Sequence, residues 1–271
     1  MSLQHFRDWT WSFLASHSDT AFVCVARKAV DRLGEFLRAE NHDFRTNGEA
    51  KVLRCLGAKA IAILDIGANR GAWALEARRH CPNATIYCFE ISSETRKHLR
   101  ENLVGMEGIE IPEFGLADHA GVERVKYYPG QDTRTSIYDY PVGESYSWND
   151  YPVQTGDKFI QEQGLQHIDL LKIDTEGADF RVLRGFDDAV TRGTISMVQF
   201  EYGYACILAR ALLIDFYDYL ESRGYIVGKL HSKRVDFRPY RLKDENFFGP
   251  NFVAVHRSHG EIIARLADTR Q

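Results

Sequence analysis

The stretch Ile61-Ala-Ile-Leu-Asp-Ile-Gly-Ala-Asn-Arg-Gly71 decides the fold of this chain. Its apolar start predicts a buried strand over 60–66, and the glycines at 67 and 71 let the backbone turn sharply before a helix over 72–79. A loop of this kind brings the backbone close to a ligand at the carboxyl end of the strand. The stretch therefore predicts a cofactor site built on an α/β sheet.

Apolar runs alternate with amphipathic segments after this stretch, which is typical of a parallel sheet with crossover helices. We expect helices over 93–103, 178–190 and 207–223 in addition to the first one. Seven strands are available, at residues 60–66, 84–90, 109–114, 168–174, 195–201, 225–227 and 252–255. The pattern predicts an α/β fold with a mostly parallel sheet.

The pattern also predicts three regions. Residues 1–58 carry aromatic and aliphatic positions at helical spacing and should form an N-terminal helical cap. Residues 59–257 should form the main domain, and 258–271 a C-terminal tail. Within the main domain, residues 129–151 are rich in Gly, Asp, Ser and Tyr, which favours a lid loop over a site. A homodimer through the N-terminal helices is a further hypothesis.

Composition excludes several classes of protein. The chain has 271 residues and a net charge of −4, with 34 basic residues scattered among 38 acidic ones, so nucleic acid is not an expected partner. No long apolar run or secretory signal is recognisable, so we expect a cytoplasmic protein without a membrane partner. Five cysteines without a C-x-x-C pair argue against a disulfide framework and a structural zinc site.

The loop after the first strand lacks the fingerprints of phosphate binding. It reads neither G-x-G-x-x-G nor G-x-x-x-x-G-K-[ST], so a dinucleotide or nucleoside triphosphate is disfavoured. Asp65 can instead approach the ammonium of an amino-acid cofactor, while backbone amides of the loop bind the carboxylate of the cofactor. The expected loop residues are Gly67, Ala68, Asn69 and Gly71.

Later strand ends complete the expected cofactor site. Glu90, followed by Ile91, ends the second strand, where a carboxylate can accept hydrogen bonds from both ribose hydroxyls. Backbone groups near Leu116 and Ala117, after the third strand, should reach an adenine edge. These positions favour S-adenosylmethionine as the cofactor.

Acidic residues follow the fourth and fifth strands. Asp174 and Glu176 end the fourth and Glu201 ends the fifth, so we expect them to lie together at the carboxyl edge of the sheet. Lys172, within the fourth strand, is expected to be a buried partner for an acid. Two such carboxylates, Asp174 and Glu201, could also hold a divalent metal ion, and this alternative stays open.

Four motifs resemble the FkbM family of methyltransferases over roughly residues 45–256. They are Leu64-Asp-Ile-Gly-Ala-Asn-Arg-Gly71, Asn47-Gly-Glu49, Leu171-Lys-Ile-Asp-Thr-Glu-Gly-Ala-Asp179 with Val182-Leu-Arg-Gly185, and Gln199-Phe-Glu201. The resemblance implies a seven-stranded Rossmann-like methyltransferase fold with helices on both faces. It also implies methylation of a hydroxyl on a sugar, glycan or natural-product small molecule.

By resemblance and position, three acids receive roles. Asp174 is the candidate general base or hydroxyl-binding group, Glu201 positions the acceptor, and Glu176 makes local hydrogen bonds around the turn. Two other functions stay open. One is a nicotinamide-dependent oxidoreductase, which would also use Glu90 but would need the middle glycine of G-x-G-x-x-G, and this sequence lacks that glycine. The other is a non-catalytic partner protein in a biosynthetic complex, which would not need the three acids.

Overall fold

The computed structural model describes residues 3–38, 41–128, 136–138, 145–249 and 251–269. The chain divides into two compact units, Met1–Glu40 and Asn41–Gln271. The first unit contains helices α1 (Leu3–Ser16) and α2 (Ala21–Arg38). Helix α3 (Glu49–Leu56), which falls inside the expected cap of residues 1–58, belongs to the second unit.

The second unit contains every strand that the described residues form. The strands are β1 Ala62–Ile66, β2 Thr85–Phe89, β3 Ile109–Glu110, β4 Gly115–Leu116, β5 Gly121–Tyr127, β6 Ser147–Gln154, β7 Leu170–Ile173, β8 Met197–Glu201, β9 Tyr225–His231, β10 Arg234–Phe237 and β11 Asn251–His256. Eight of them form the central sheet, in the order β10-β9-β11-β8-β7-β1-β2-β3.

The central sheet is α/β in class but has one strand more than expected. Strands β3, β2, β1, β7 and β8 run parallel to one another, whereas β11 is antiparallel to both β8 and β9. The eighth strand, β10, forms an antiparallel hairpin with β9 at the edge of the sheet. The expected count of seven strands is therefore wrong, although the fold class is confirmed.

A second sheet of three strands, in the order β4-β6-β5, lies outside the predicted architecture. The expected third strand over 109–114 is wrong in its bounds, because only Ile109–Glu110 pairs with β2 and the chain then enters the second sheet at Gly115. The end of the expected lid, residues 147–151, belongs to β6. Residues 129–135 and 139–144 of the expected lid lie outside the described part of the chain.

The remaining helices are α4 Ala72–His80, α5 Ser93–Asn102, α6 Gly156–Gln163, α7 Asp179–Arg184, α8 Asp187–Thr191, α9 Ala205–Ala209, α10 Leu213–Glu221 and α11 Gly260–Ala267. Two expected helices are each divided in two. Between α7 and α8, Gly185 packs so closely that an added Cβ would lie 2.1 Å from the Ala117 carbonyl oxygen. Between α9 and α10, Arg210 takes a left-handed conformation that ends α9.

The central sheet is covered on both faces. Leu64 and Ile66 of β1 pack in a core that includes Val182 and Phe216. Ile63 of the same strand packs in the other core, which contains residues of α3 and α4. Alternate residues of a strand point to opposite faces, so burial of all of β1 requires both layers. No helix among the described residues is long and apolar enough to cross a membrane.

Candidate active site

A cavity opens at the carboxyl ends of β1, β2 and β7. Seven of the predicted site residues line it: Gly67, Asn69, Glu90, Ile91, Leu116, Asp174 and Glu176. The predicted residues Asp65, Ala68, Gly71, Ala117 and Glu201 are not part of its lining. Two further lining residues, Ser136 and Ile137, fall within the expected lid of residues 129–151. The lining residues that were not predicted are Ile66, Phe89, Gly115, Val125, Thr175, Ala178 and Val182.

The loop after β1 packs directly on the turn after β7. Gly67 has φ +81°, and a Cβ added there would lie only 1.8 Å from the Asp174 carbonyl oxygen. The Asp174 amide in turn donates to the Ile66 carbonyl at 2.9 Å. Glycine is therefore required at 67 both by conformation and by space, and this close approach joins the two halves of the cavity.

The loop amides donate hydrogen bonds within the protein. Those of Gly67 and Ala68 both donate to the Phe89 carbonyl at 2.9 Å, and that of Gly71 donates to Ala68. The Asn69 amide donates to Glu90 Oε2 at 3.0 Å. These four donors would have to exchange partners to bind a cofactor carboxylate, contrary to the sequence expectation.

Glu90 is a buried carboxylate held in one orientation at the wall of the cavity. Its Oε2 accepts from the Asn69 amide and its Oε1 from the Ser92 amide, each at 3.0 Å. Arg96 donates to its backbone carbonyl at 2.8 Å. Each carboxylate oxygen can accept more than one hydrogen bond, so the group can also receive a pair of ligand hydroxyls.

Replacing Glu90 should weaken cofactor binding. Because hydrogen bonds to a charged group contribute about 1.5–3 kcal/mol, we expect Glu90→Gln to raise the Kd for S-adenosylhomocysteine by roughly 10- to 100-fold. Isothermal titration calorimetry measures this directly. The matched control is Glu107→Gln, a change at an exposed glutamate away from the cavity. Equal Kd values for the two variants would remove Glu90 from the cofactor site.

Asp65 lies in a different place from the one expected. Its carboxylate is fully buried, and Oδ1 accepts from Lys172 Nζ at 3.0 Å. Oδ2 has no hydrogen-bond partner among the described residues. The register of β1 and β7 places Asp65 directly beside Lys172, which explains the pairing. Burial raises the pKa of Asp65, and Lys172 offsets part of that increase.

Asp174, unlike Asp65, reaches the cavity. Its side chain is 42% exposed, and Oδ2 lies 3.3 Å from Lys172 Nζ. Burial alone would lower the pKa of Lys172, but the carboxylates of Asp65, Asp174 and Glu49 raise it above the ordinary lysine value. Lys172 is therefore charged, as expected for a buried partner of an acid.

A tight turn follows Asp174. Glu176 has φ +51°, an uncommon conformation for a residue other than glycine. Buried Asp179 stabilises the turn, since its carboxylate accepts from the amides of Thr175 at 3.3 Å and Gly177 at 3.1 Å. The Ser136 hydroxyl donates to the Glu176 carbonyl at 2.8 Å. The sequence motif contains Asp179, but its structural role was not predicted.

The protonation of Asp179 should be visible in the stability of the protein. Burial, followed by repulsion from Asp174, raises the pKa of Asp179 to about 6 from 3.8. Between these pH values the unfolded chain releases the proton while the folded chain keeps it, so folding becomes less favourable as pH rises. We expect this group to lower the free energy of unfolding by about 3 kcal/mol from pH 3.5 to 6.5.

Urea unfolding at several pH values measures this effect, and Asp179→Asn should remove it. The wild type should lose more stability than the variant over the same pH interval. Parallel curves for the two proteins would contradict the account of Asp179.

Glu201 lies at the end of β8, one strand from Asp174. Burial, followed by repulsion from Asp174, Glu176 and Asp179, raises its pKa well above the ordinary glutamate value. Its Oε1 lies 3.9 Å from Nδ1 of His42. The raised pKa favours the protonated carboxyl, which can donate a hydrogen bond.

Glu49 is a buried acid near Lys172 whose interactions were not predicted. Its Oε2 accepts from the Gln199 side chain at 2.7 Å, and its Oε1 accepts from the side chains of Asn47 and Asn251, each at 2.8 Å. Burial raises the pKa of Glu49, and Lys172 offsets part of the increase. The Asn47-Gly-Glu49 motif contributed to the family resemblance, but no role was assigned to Glu49.

A family model described as the methyltransferase FkbM domain matches residues 65–227, which is more than half of the chain. The chain belongs to the FkbM methyltransferase family. The matched region starts at Asp65, within β1, and includes Glu90, Asp174 and Glu201. The resemblance found in the sequence motifs is confirmed. Membership also favours a methyltransferase over the nicotinamide-dependent alternative.

Three relatives show how far the similarity extends. AMB antimetabolite synthetase AmbE of Pseudomonas aeruginosa is 31% identical over 47% of this chain and 8% of its own length. Methyltransferase 1 of Beauveria bassiana is 27% identical over 67% of this chain and 77% of its own length. The 2-O-methyltransferase NoeI of Sinorhizobium fredii is 28% identical over 48% of this chain and 59% of its own length. The match thus spans less than two thirds of AmbE and NoeI.

The structure of this FkbM-family chain gives no support to the metal alternative. Among the residues that the structure describes, no group of three or more His, Cys, Asp or Glu side chains is placed to hold a metal ion. The two carboxylates considered for this role, Asp174 and Glu201, instead lie near the positive charge of Lys172. That charge offsets part of the increase in the pKa of Glu201.

Proposed function

We propose that this chain is an S-adenosylmethionine-dependent O-methyltransferase acting on a hydroxyl of a sugar, glycan or natural-product small molecule. The observation that carries the proposal is that one cavity is lined by both Glu90 and Asp174. Glu90 suits a cofactor ribose and Asp174 suits an acceptor hydroxyl. A shared cavity lets the two reactants meet.

The residues at the cofactor end fit an adenosyl group. The braced carboxylate of Glu90 would accept from the ribose hydroxyls, and the apolar side chains of Ile91, Leu116 and Phe89 would contact the adenine. The bound cofactor would supply an electrophilic methyl group whose transfer is already favourable. The task left to the protein is to place the acceptor oxygen in line and to accept its proton.

The residues at the acceptor end fit that task. Asp174 is partly exposed to the cavity, so its carboxylate can accept a hydrogen bond from an acceptor hydroxyl and take the proton. Glu201 does not line the cavity; with its raised pKa it would donate a hydrogen bond to an acceptor that extends beyond the cavity to the end of β8. Glu176 would act locally, by holding the turn.

The acceptor class is inferred from the family and from relatives such as the 2-O-methyltransferase NoeI. A hydroxylated small molecule or glycan fits a cavity with a partly exposed carboxylate at Asp174, where the described residues form no group of three or more metal-ligating side chains. The cytoplasmic location and the homodimer through the N-terminal helices remain predictions. The lid over 129–151 also remains a prediction, except for residues 147–151, which belong to β6.

The test is an assay with methyl-labelled S-adenosylmethionine and a panel of acceptors that differ in one hydroxyl. We expect label in an ether product whose mass exceeds that of the acceptor by one methylene group, and no product from the acceptor lacking that hydroxyl. Label found only on amine acceptors would contradict O-methylation. Cofactor binding without transfer to any acceptor would favour a non-catalytic partner protein.

A further inference from the structure

Lys172 lies between two acids that belong to different parts of the site. Its Nζ is 3.0 Å from Asp65 Oδ1 and 3.3 Å from Asp174 Oδ2. The Lys172 side chain is 5% exposed and that of Asp65 is fully buried, whereas Asp174 reaches the cavity. The ammonium therefore connects the core below the cofactor loop with the acid at the acceptor end.

Residues of three neighbouring strands lie around this ammonium. Asp65 lies on β1 and Lys172 on β7, in direct register, and Gln199 is the register neighbour of Lys172 on β8. Gln199 donates to Glu49 of α3, whose negative charge also acts on Lys172. The buried Glu49 thus extends the network to a helix that packs against the sheet.

A buried ion pair of this kind is costly to form. Desolvating an ammonium and a carboxylate costs several kcal/mol per ion, and apolar side chains of similar size often stabilise a core as well or better. Stability alone therefore does not explain a lysine here. The contact that apolar residues could not replace is the one with Asp174, because that carboxylate faces the cavity.

We propose that Lys172 is a positioning residue for Asp174: its ammonium holds the carboxylate at the cavity wall and stabilises its anionic form among neighbouring acids. This inference rests on the proposed function for its catalytic consequence. The charged groups that act on Lys172 are Asp65 on β1, Glu49 on α3 and Asp174 itself. Beyond Asp174 lie the acids Glu176, Asp179 and Glu201, with His42 beside Glu201.

The first test is independent of activity. The carboxyl carbon of Asp174 is followed by carbon-13 NMR against pH and assigned with Asp174→Asn. Because a cation within a few ångströms favours the ionised carboxylate, we expect the titration midpoint in Lys172→Met to lie at least about one pH unit above that of the wild type. Lys172→Arg, which keeps the charge, should titrate close to the wild type.

Two further variants make this test secure. Lys158→Met is the matched control, since Lys158 is 53% exposed and pairs with Glu162 on the surface of α6. Lys172→Gln keeps donors toward Asp65 without the charge, and it serves if the methionine variant does not fold. An unchanged Asp174 midpoint in a folded, uncharged variant would overturn the proposal.

The second test measures kcat against pH with a methylated acceptor. In Lys172→Met we expect kcat to fall at least about tenfold and the acidic limb of the profile to move to higher pH, while the Kd for S-adenosylhomocysteine stays within about threefold. A fall in kcat without movement of that limb would indicate a merely structural lysine. A wild type that neither binds the cofactor nor transfers methyl would instead overturn the proposed function, while the NMR test of Lys172 would still stand.

Discussion

Asp174→Asn is expected to lower kcat for methyl transfer by at least about 100-fold, since the amide cannot take the proton of an acceptor hydroxyl. The side chains are nearly the same size, and Asp174 is partly exposed, so folding should be preserved. The Kd for S-adenosylhomocysteine should stay within about threefold, because the loss concerns the transition state and not the cofactor.

The measurement is steady-state kinetics combined with calorimetric binding. Asp218→Asn is the matched control, because Asp218 is exposed on α10 and does not line the cavity. An active Asp174→Asn enzyme would show that Asp174 is not the base. Loss of cofactor binding together with activity would place Asp174 in the cofactor site instead.

Gly67→Ala should have the largest effect on stability. The new Cβ would lie 1.8 Å from the Asp174 carbonyl oxygen, so the loop or the turn must move, and φ +81° is itself unfavourable for alanine. We expect the free energy of unfolding to fall by about 3–5 kcal/mol. Cofactor binding should be lost as well, because the same contact joins the two halves of the cavity.

Gly164→Ala separates the two causes. Gly164, the C-cap of α6, has a left-handed conformation, with φ +63°, and an added Cβ there would meet nothing within 4 Å. Its cost should be only about 1–2 kcal/mol, from backbone conformation alone. Urea unfolding of both variants gives the comparison, and equal losses of stability would mean that the contact with Asp174 is relaxed at little cost.

The parts of the site that follow from a single βα unit could be predicted from the sequence. Glu90 and Asp174 each end a parallel strand, and such strands bring their carboxyl ends to one edge of a sheet, so both were expected to lie at the cavity. The glycine at 67 was likewise evident from its place between strand and helix. These predictions needed no knowledge of which strands are neighbours.

The parts that depend on register could not be predicted. Asp65 faces Lys172 only because β1 and β7 are adjacent with those residues side by side, and sequence periodicity gives no pairing register. Glu49 meets Gln199 and Asn251 across long stretches of chain. Strand β10 follows a turn without glycine or asparagine, Ser232-Lys233, so no hairpin signal marked it.

The central claim is that the cavity binds S-adenosylmethionine, and calorimetric titration of the wild-type chain tests it most directly. S-adenosylhomocysteine and NAD⁺ are titrated side by side, with Glu90→Gln as the site-directed comparison. The account predicts saturable 1:1 binding of S-adenosylhomocysteine that the variant weakens, and no binding of NAD⁺. Tight binding of NAD⁺ with no response to S-adenosylhomocysteine would contradict it.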